Sequence, residues 1–145
     1  MNVNTYFVSS DHSLLQPELI HSFLSASYWA KNIPLETVLR SIENSICFGV
    51  YNGKEQVGFA RVVTDKSVFA YLADVFIVPE HRGKGLSNML MKEIMSHPDV
   101  QGLRRWILAT RDAHGLYKKF GFTLLALPDR WMEVHDPDVY KSKIE

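Results

Sequence analysis

Apolar residues recur at helical spacing in two early stretches of the chain. Leu15, Leu19, Phe23 and Ala26 predict a helix from Leu14 to about Ser27. Leu35, Val38, Leu39 and Ile42 predict a second, with Pro34 near its first position and Asn44-Ser45 at its end. The pattern then changes to β-rich runs. Ile46 to Tyr51 and Gln56 to Val63 flank Asn52-Gly53, a strong hairpin signal, and Phe69 to Val78 stops at Pro79. Helical spacing returns at Leu86, Leu90, Met91, Ile94 and Met95, and His97-Pro98 closes that segment. Arg105 to Ala109 reads as a buried strand, Ala113 to Phe120 as a short helix, and Phe122 to Leu125 and Trp131 to Val134 as closing strands. With Tyr6-Phe7-Val8 as an opening strand, this order predicts one α/β (α+β) domain over residues 1–145. Its mixed central sheet has about six to seven strands flanked by helices.

Composition narrows the function without naming it. The chain has 145 residues, enough for a sound core without disulfides or metal staples. Hydrophobic residues make up 46% and charged residues 22%, ordinary values for a globular protein. Lys+Arg and Asp+Glu each number 16, so there is no basic excess of the kind a nucleic-acid binder shows. Cys47 is the only cysteine, which excludes an intramolecular disulfide and a cysteine-based zinc site. It sits in an apolar run and reads as a small buried hydrophobe. The start of the chain lacks a signal-peptide pattern, and no apolar run approaches the ~20 residues of a membrane span. A cytoplasmic protein is expected, with no nucleic-acid or membrane partner.

The candidate chemistry begins where a strand passes through a glycine-bearing turn into a helix, at Val75-Phe76-Ile77-Val78-Pro79-Glu80-His81-Arg82-Gly83-Lys84-Gly85-Leu86-Ser87. Glycines allow successive N–H groups to converge on one point, and the helix start adds unsatisfied N–H groups and a positive dipole end. Such a cradle suits a pyrophosphate. The string Gly-x-x-x-x-Gly-Lys-Ser/Thr of a Walker A loop is absent. Asn88 stands where a dinucleotide fingerprint needs its third glycine.

What remains is Arg-x-x-Gly-x-small, carried by Arg82, Gly85 and Ser87. It resembles the acyl-CoA pyrophosphate motif of the GNAT superfamily of N-acetyltransferases, with Ser87 in place of glycine or alanine. A second resemblance follows about thirty residues on. Thr110-Arg111-Asp112-Ala113-His114-Gly115-Leu116-Tyr117-Lys118-Lys119-Phe120-Gly121-Phe122 is similar to that family's Asn-x-x-Ala-x-x-Leu-Tyr-x-x-x-Gly-Phe signature, with Thr110 in place of asparagine. The resemblance implies a fold in which two parallel strands splay apart, here those containing Val75-Phe76-Ile77 and Trp106-Ile107-Leu108. It implies acetyl-CoA as cofactor, its pantetheine chain lying in the gap with Phe76 and Val78 as backbone partners. Ile77, Arg82 to Ser87, Ala113 and Tyr117 complete the expected cofactor site. Lys84, Lys118 and Lys119 are candidates for a 3′-phosphate, with no single one singled out.

Acetyl transfer to an amine needs a neutral nucleophile, donors at the thioester oxygen and a proton for the departing thiolate. On the order of one lysine-like amine in 10³ is neutral at pH 7. Tyr117 is the candidate acid, because a phenol near ~10 can return a proton to a thiol near ~8.5, and the family motif sets this hydroxyl beside the sulfur. Asp74 can act as base, directly or through water, can bind a cationic substrate, or can simply pair with Arg61 or Arg111. For the acceptor side the resemblance points to Tyr28, Trp29, Arg61 and Asp74, and to Trp131 near the end of the chain. His81 and His97 lack metal-ligand spacing, so no metal is expected.

Three functions fit these residues: an enzyme acetylating a small-molecule amine, an acetyltransferase acting on protein lysines or N-termini, and a non-catalytic acyl-CoA-binding sensor. Tyr117 argues against the sensor and the lack of a docking insertion against the protein substrate. C-terminal strand pairing, common among relatives, leaves a homodimer open.

Overall fold

The computed structural model describes residues 5–141. Five strands form one sheet in the order β1 (Tyr6–Ser9), β2 (Ile46–Asn52), β3 (Glu55–Thr64), β4 (Phe69–Ile77) and β5 (Arg105–Leu108). Neighbours are antiparallel except for the last pair, β4 and β5, which run parallel. The β2–β3 hairpin turns at Gly53, whose φ of 61° is the left-handed conformation that glycine adopts without a Cβ penalty.

The sheet is covered on both faces, which is why its central strands read as continuous apolar runs. On one face Phe48, Val50, Ala60, Val62 and Leu72 pack under helix α3 (Leu86–Ser96), which contributes Leu86, Leu90, Met91 and Ile94. On the other, Cys47, Phe59 and Phe76 meet helices α1 (Pro17–Ala26) and α2 (Leu35–Glu43) through Ile20, Leu24, Val38 and Ile42. Each fully buried Val, Leu, Ile, Phe or Met among them contributes about 1.5–3 kcal/mol relative to its exposed state. Pro17 occupies the first turn of α1, where its missing N–H costs nothing. A short helix, α4 (His114–Lys118), follows β5. No helix among the described residues is long and apolar enough to cross a membrane.

Two expectations need correction. The pattern places Leu35 and Leu39 on the buried face of α2, yet both are exposed, and Val38 and Ile42 alone carry the contact. More consequentially, the sheet has five strands among the described residues, because neither Phe122 to Leu125 nor Trp131 to Val134 is a strand. Phe122 turns inward against Trp106 and Tyr117, while Leu124 and Met132 are 80% and 96% exposed. A run of β-type residues becomes a strand only where another strand offers its backbone, and periodicity does not register that partner.

Candidate active site

The strand-to-helix turn forms as expected. Gly83 and Gly85 have φ of 78° and 77°, and Gly85 is the N-cap of α3 without any side-chain capping bond. None of the amides of Gly83, Lys84 and Gly85 donates to a protein acceptor among the described residues. The first amides of α3 have no intrahelical partner by geometry. A Cβ built on Gly83 or Gly85 meets nothing within 4 Å, so the protein leaves that space open. Main-chain N–H groups without a protein acceptor at a helix N-terminus, with open space beside them, fit a diphosphate. Arg82 turns back, donating from Nε to the carbonyl of Ile77 at 2.8 Å, which ties the loop to the end of β4 and leaves its terminal nitrogens without a partner among the described residues.

The gap beside β4 is also present. β4 and β5 pair only from Phe69↔Arg105 to Leu72↔Leu108, and β4 then runs on to Ile77 without a strand on that side. Across the other edge, the register with β3 shifts between Phe59 and Arg61, so Asp74 and Val75 together face Ala60. This is a bulge, which bends the strand and leaves one residue outside the ladder. Asp74 lies there with φ of 57°.

The ladder decides which backbone groups face the gap. The N–H of Val78 donates to the carbonyl of Val57 at 2.8 Å, so Val78 faces β3. By alternation Phe76 faces β3 too, and Ile77 faces the gap. The bond from Arg82 to the Ile77 carbonyl agrees with that orientation. Phe76 and Val78, expected as backbone partners, thus turn their N–H and C=O to β3, and Ile77 turns its own to the gap. The Phe76 side chain is core, stacked on Phe23 with centroids 3.9 Å apart.

Asp74 marks the floor of a cleft of about 600 Å³. Its Oδ2 accepts from Arg61 Nε and its Oδ1 from Trp29 Nε1, each at 2.9 Å, and Arg61 also donates to Ser45 Oγ at 3.2 Å. The ion pair is with Arg61; Arg111 instead lies with its Cζ 3.9 Å from the centroid of the Tyr28 ring. Tyr117, at the wall of the same cleft, is 8% exposed. Burial, and then the neighbouring Tyr28, push its phenol above its ordinary range, which keeps it protonated. Its hydroxyl forms no hydrogen bond among the described residues. Thr110 Oγ1 accepts from the Ala113 N–H at 3.0 Å, so this side chain caps the turn into α4.

The family model described as Acetyltransferase (GNAT) domain matches residues 43–124, more than half of the chain and both motifs. The chain belongs to the GNAT acetyltransferase family. It is an N-acetyltransferase by that membership, in a family that generally uses acetyl-CoA and acts on an acceptor substrate. A provisionally named acetyltransferase of Gibberella zeae is 36% identical over 137 residues, covering 79% of this chain and 76% of its own. The crystal structure of a GNAT-family protein of Xanthomonas campestris pv. campestris, provisionally assigned as an acetyltransferase, is 54% identical. It superposes with a TM-score of 0.91 over 93% of this chain and 96% of that one. A Clostridium acetobutylicum protein assigned as an acetyltransferase, solved with acetyl-CoA, shares 14% identity. Its TM-score of 0.64, over 90% of this chain and 94% of that one, shows the fold alone.

Of the expected acceptor residues in this acetyltransferase, the cleft brings together Tyr28, Trp29, Arg61 and Asp74. Trp131 lies elsewhere, in a separate pocket of about 320 Å³ beneath Arg105, whose Cζ is 4.8 Å from its ring centroid. The resemblance places Trp131 at the acceptor side only by its position near the end of the chain, and that segment instead sets it beside Arg105 and Leu127. Sequence reasoning missed Thr37, Ser41, Tyr71 and Tyr140 as cleft residues, and it read Arg111 only as a partner for Asp74. Alternation in a strand next to a recognised motif could have found Tyr71; nothing in the sequence marks the other three. Lys84, Lys118 and Lys119 are all exposed. Among the described residues no group of three or more His, Cys, Asp or Glu side chains could hold a metal ion.

Proposed function

We propose that this N-acetyltransferase moves an acetyl group from acetyl-CoA to a primary amine on a small molecule, by direct attack with Tyr117 as general acid, and that residues 1–145 make up one acyl-CoA N-acyltransferase domain. The observation that carries the reading is Tyr117: its side chain is largely buried and held protonated, and its hydroxyl makes no hydrogen bond among the described residues, in the cleft that also contains Asp74. When bound, acetyl-CoA supplies a thioester that an amine can attack and a thiolate as leaving group.

The chain's own residues have separable tasks. The amides from Gly83 to Ser87 and the start of α3 hold diphosphate charge, with the free end of Arg82 beside them. The backbone of Ile77 offers strand-like pairing to an extended chain in the gap, and Ala113 lines the cleft at the start of α4. Tyr117 Oη keeps the proton that a departing thiolate needs. Asp74 has one lone pair on each oxygen committed, to Arg61 and to Trp29, and one left on each for an incoming ammonium. It accepts from the ammonium of the acceptor and takes up its proton, directly or through water. Tyr28 and Trp29 are exposed at the cleft, Thr37, Ser41 and Tyr140 also line it, and its volume of about 600 Å³ suits a small acceptor.

Thiol release from acetyl-CoA, measured across small amines and a lysine-containing peptide, tests the reading. The expected result is turnover of small amines, with kcat for Tyr117→Phe lower by about 10²–10⁴ and Kd for coenzyme A within about threefold of wild type. Equal kcat in the two proteins removes Tyr117 as acid. Turnover of the peptide alone replaces the small-molecule acceptor with a protein, and tight coenzyme A binding without any turnover makes the chain a sensor.

A further inference from the structure

Arg111 has a geometry that acetyl transfer itself does not explain. It lies in the segment leading from β5 to α4 and lines the cleft whose floor is Asp74. Its guanidinium sits over the face of Tyr28, and Tyr28 in turn meets Trp29 edge to face with centroids 5.1 Å apart. Trp29 is bonded to Asp74. A cation–π contact with the ring holds the guanidinium without engaging its N–H donors in hydrogen bonds. Those donors are unused: Arg111 makes no hydrogen bond and no ion pair to any carboxylate among the described residues, although Asp112 is its neighbour and also lines the cleft. The contrast with Arg61 is informative. Arg61 spends its charge on Asp74 and Ser45, so that pair is close to neutral, whereas Arg111 is held in place with its charge uncompensated.

A planar, pre-oriented guanidinium with free edges recognises a carboxylate or a phosphate in bidentate fashion. Resting on the proposed acetyl transfer, we propose that the acceptor is an amine that also carries an anionic group, the amine directed to Asp74 and the anion to Arg111. The cleft then presents the remaining lone pairs of Asp74 to the amine and an uncompensated guanidinium to the anion of one dipolar substrate. Arg111 is a specificity-determining residue in this arrangement, and Tyr28 is the positioning residue that sets its plane.

The test uses matched pairs that differ only in the anion: amino acids against their carboxamides, and aminoalkyl phosphates against the corresponding amino alcohols. For each pair kcat/KM is measured with acetyl-CoA, and binding is measured without it as the rise in Tm. The wild-type protein is expected to favour the anionic member by about 10- to 100-fold in kcat/KM, carried mainly by KM. Arg111→Gln is expected to bring that ratio towards one and to abolish the selective rise in Tm, with Arg111→Lys in between. Whichever pair shows the larger ratio identifies carboxylate or phosphate. Equal kcat/KM within every pair, or a ratio that survives Arg111→Gln, overturns the proposal while leaving acetyl transfer intact. Selective binding of anionic amines, lost in Arg111→Gln, without turnover of any amine has the opposite consequence: the anion site stands and the reaction falls.

Discussion

Replacing Gly85 with alanine separates what the cradle's backbone costs from what it binds. Gly85 has φ of 77°, and moving an L-residue into that region costs about 1–2 kcal/mol. The added Cβ meets no protein atom within 4 Å, so the fold pays only that strain. The open space is where a diphosphate would rest against the amides of Gly83 to Ser87. A hydrogen bond from an N–H to a charged oxygen contributes about 1.5–3 kcal/mol. If the methyl group pushes the anion off two amides, the loss is about 3–6 kcal/mol, or roughly 10²- to 10⁴-fold in Kd. Gly53→Ala is the control, because Gly53 is equally left-handed at 61°, has equally open surroundings and lies in the distant β2–β3 turn. Urea unfolding should show similar destabilisation, about 1–2 kcal/mol, in both variants. Calorimetric titration with coenzyme A should show weakened binding in Gly85→Ala alone. If Gly85→Ala is folded and binds coenzyme A within threefold of wild type, those amides are not the anion site and the cofactor assignment fails with them.

Asp74→Asn should destabilise the protein by about 1–3 kcal/mol in urea unfolding. Asparagine keeps the shape but turns a donor towards either Arg61 or Trp29, both of which are donors; an unchanged midpoint would mean that the network contributes nothing. Tyr51→Phe should be neutral or stabilising by about 1 kcal/mol, since the Tyr51 hydroxyl is buried with no hydrogen-bond partner among the described residues. A clear loss of stability would show that the hydroxyl is satisfied. Burial pushes the Cys47 thiol up to about 12, so above pH 9 the unfolded chain releases a proton that the fold retains. Stability should then fall with rising pH between about 9 and 12, by on the order of 1 kcal/mol per pH unit, and Cys47→Ala should flatten that slope in urea midpoints taken from pH 8 to 11.

The parts of the site legible in the sequence are those whose physics is local. Gly83 and Gly85 had to be left-handed for a strand to enter a helix within so few residues, and the period of Leu86, Leu90, Met91 and Ile94 fixed the helix that follows. Tyr117 and Ala113 were legible because a short motif carries them. What could not be read depends on partners distant in sequence. Whether Phe76 or Ile77 turns its amide to the gap is set by the phase of the ladder with β3, and a phase error of one residue exchanges every inward group for an outward one. Where Trp131 lies depends on the course of an irregular segment, which sets it in a separate pocket with Arg105 and Leu127. Tyr140 reaches the cleft from 23 residues beyond Tyr117, a distance that no periodicity spans.

Asp74 joins these two kinds of information in one residue. Its left-handed φ would be costly for most side chains, though aspartate tolerates it better than β-branched residues do. The bulge it creates lies just beyond Leu72, where β4 and β5 part company, so the extra residue and the opening of the gap occur together. A strained backbone persists only where its surroundings hold it. Here the hold is the carboxylate itself, fixed by Arg61 from β3 and by Trp29 from the segment between α1 and α2. The contacts that support the distorted strand therefore also aim its carboxylate into the cleft. The distorted strand and the aim of the carboxylate into the cleft thus rest on the same few bonds.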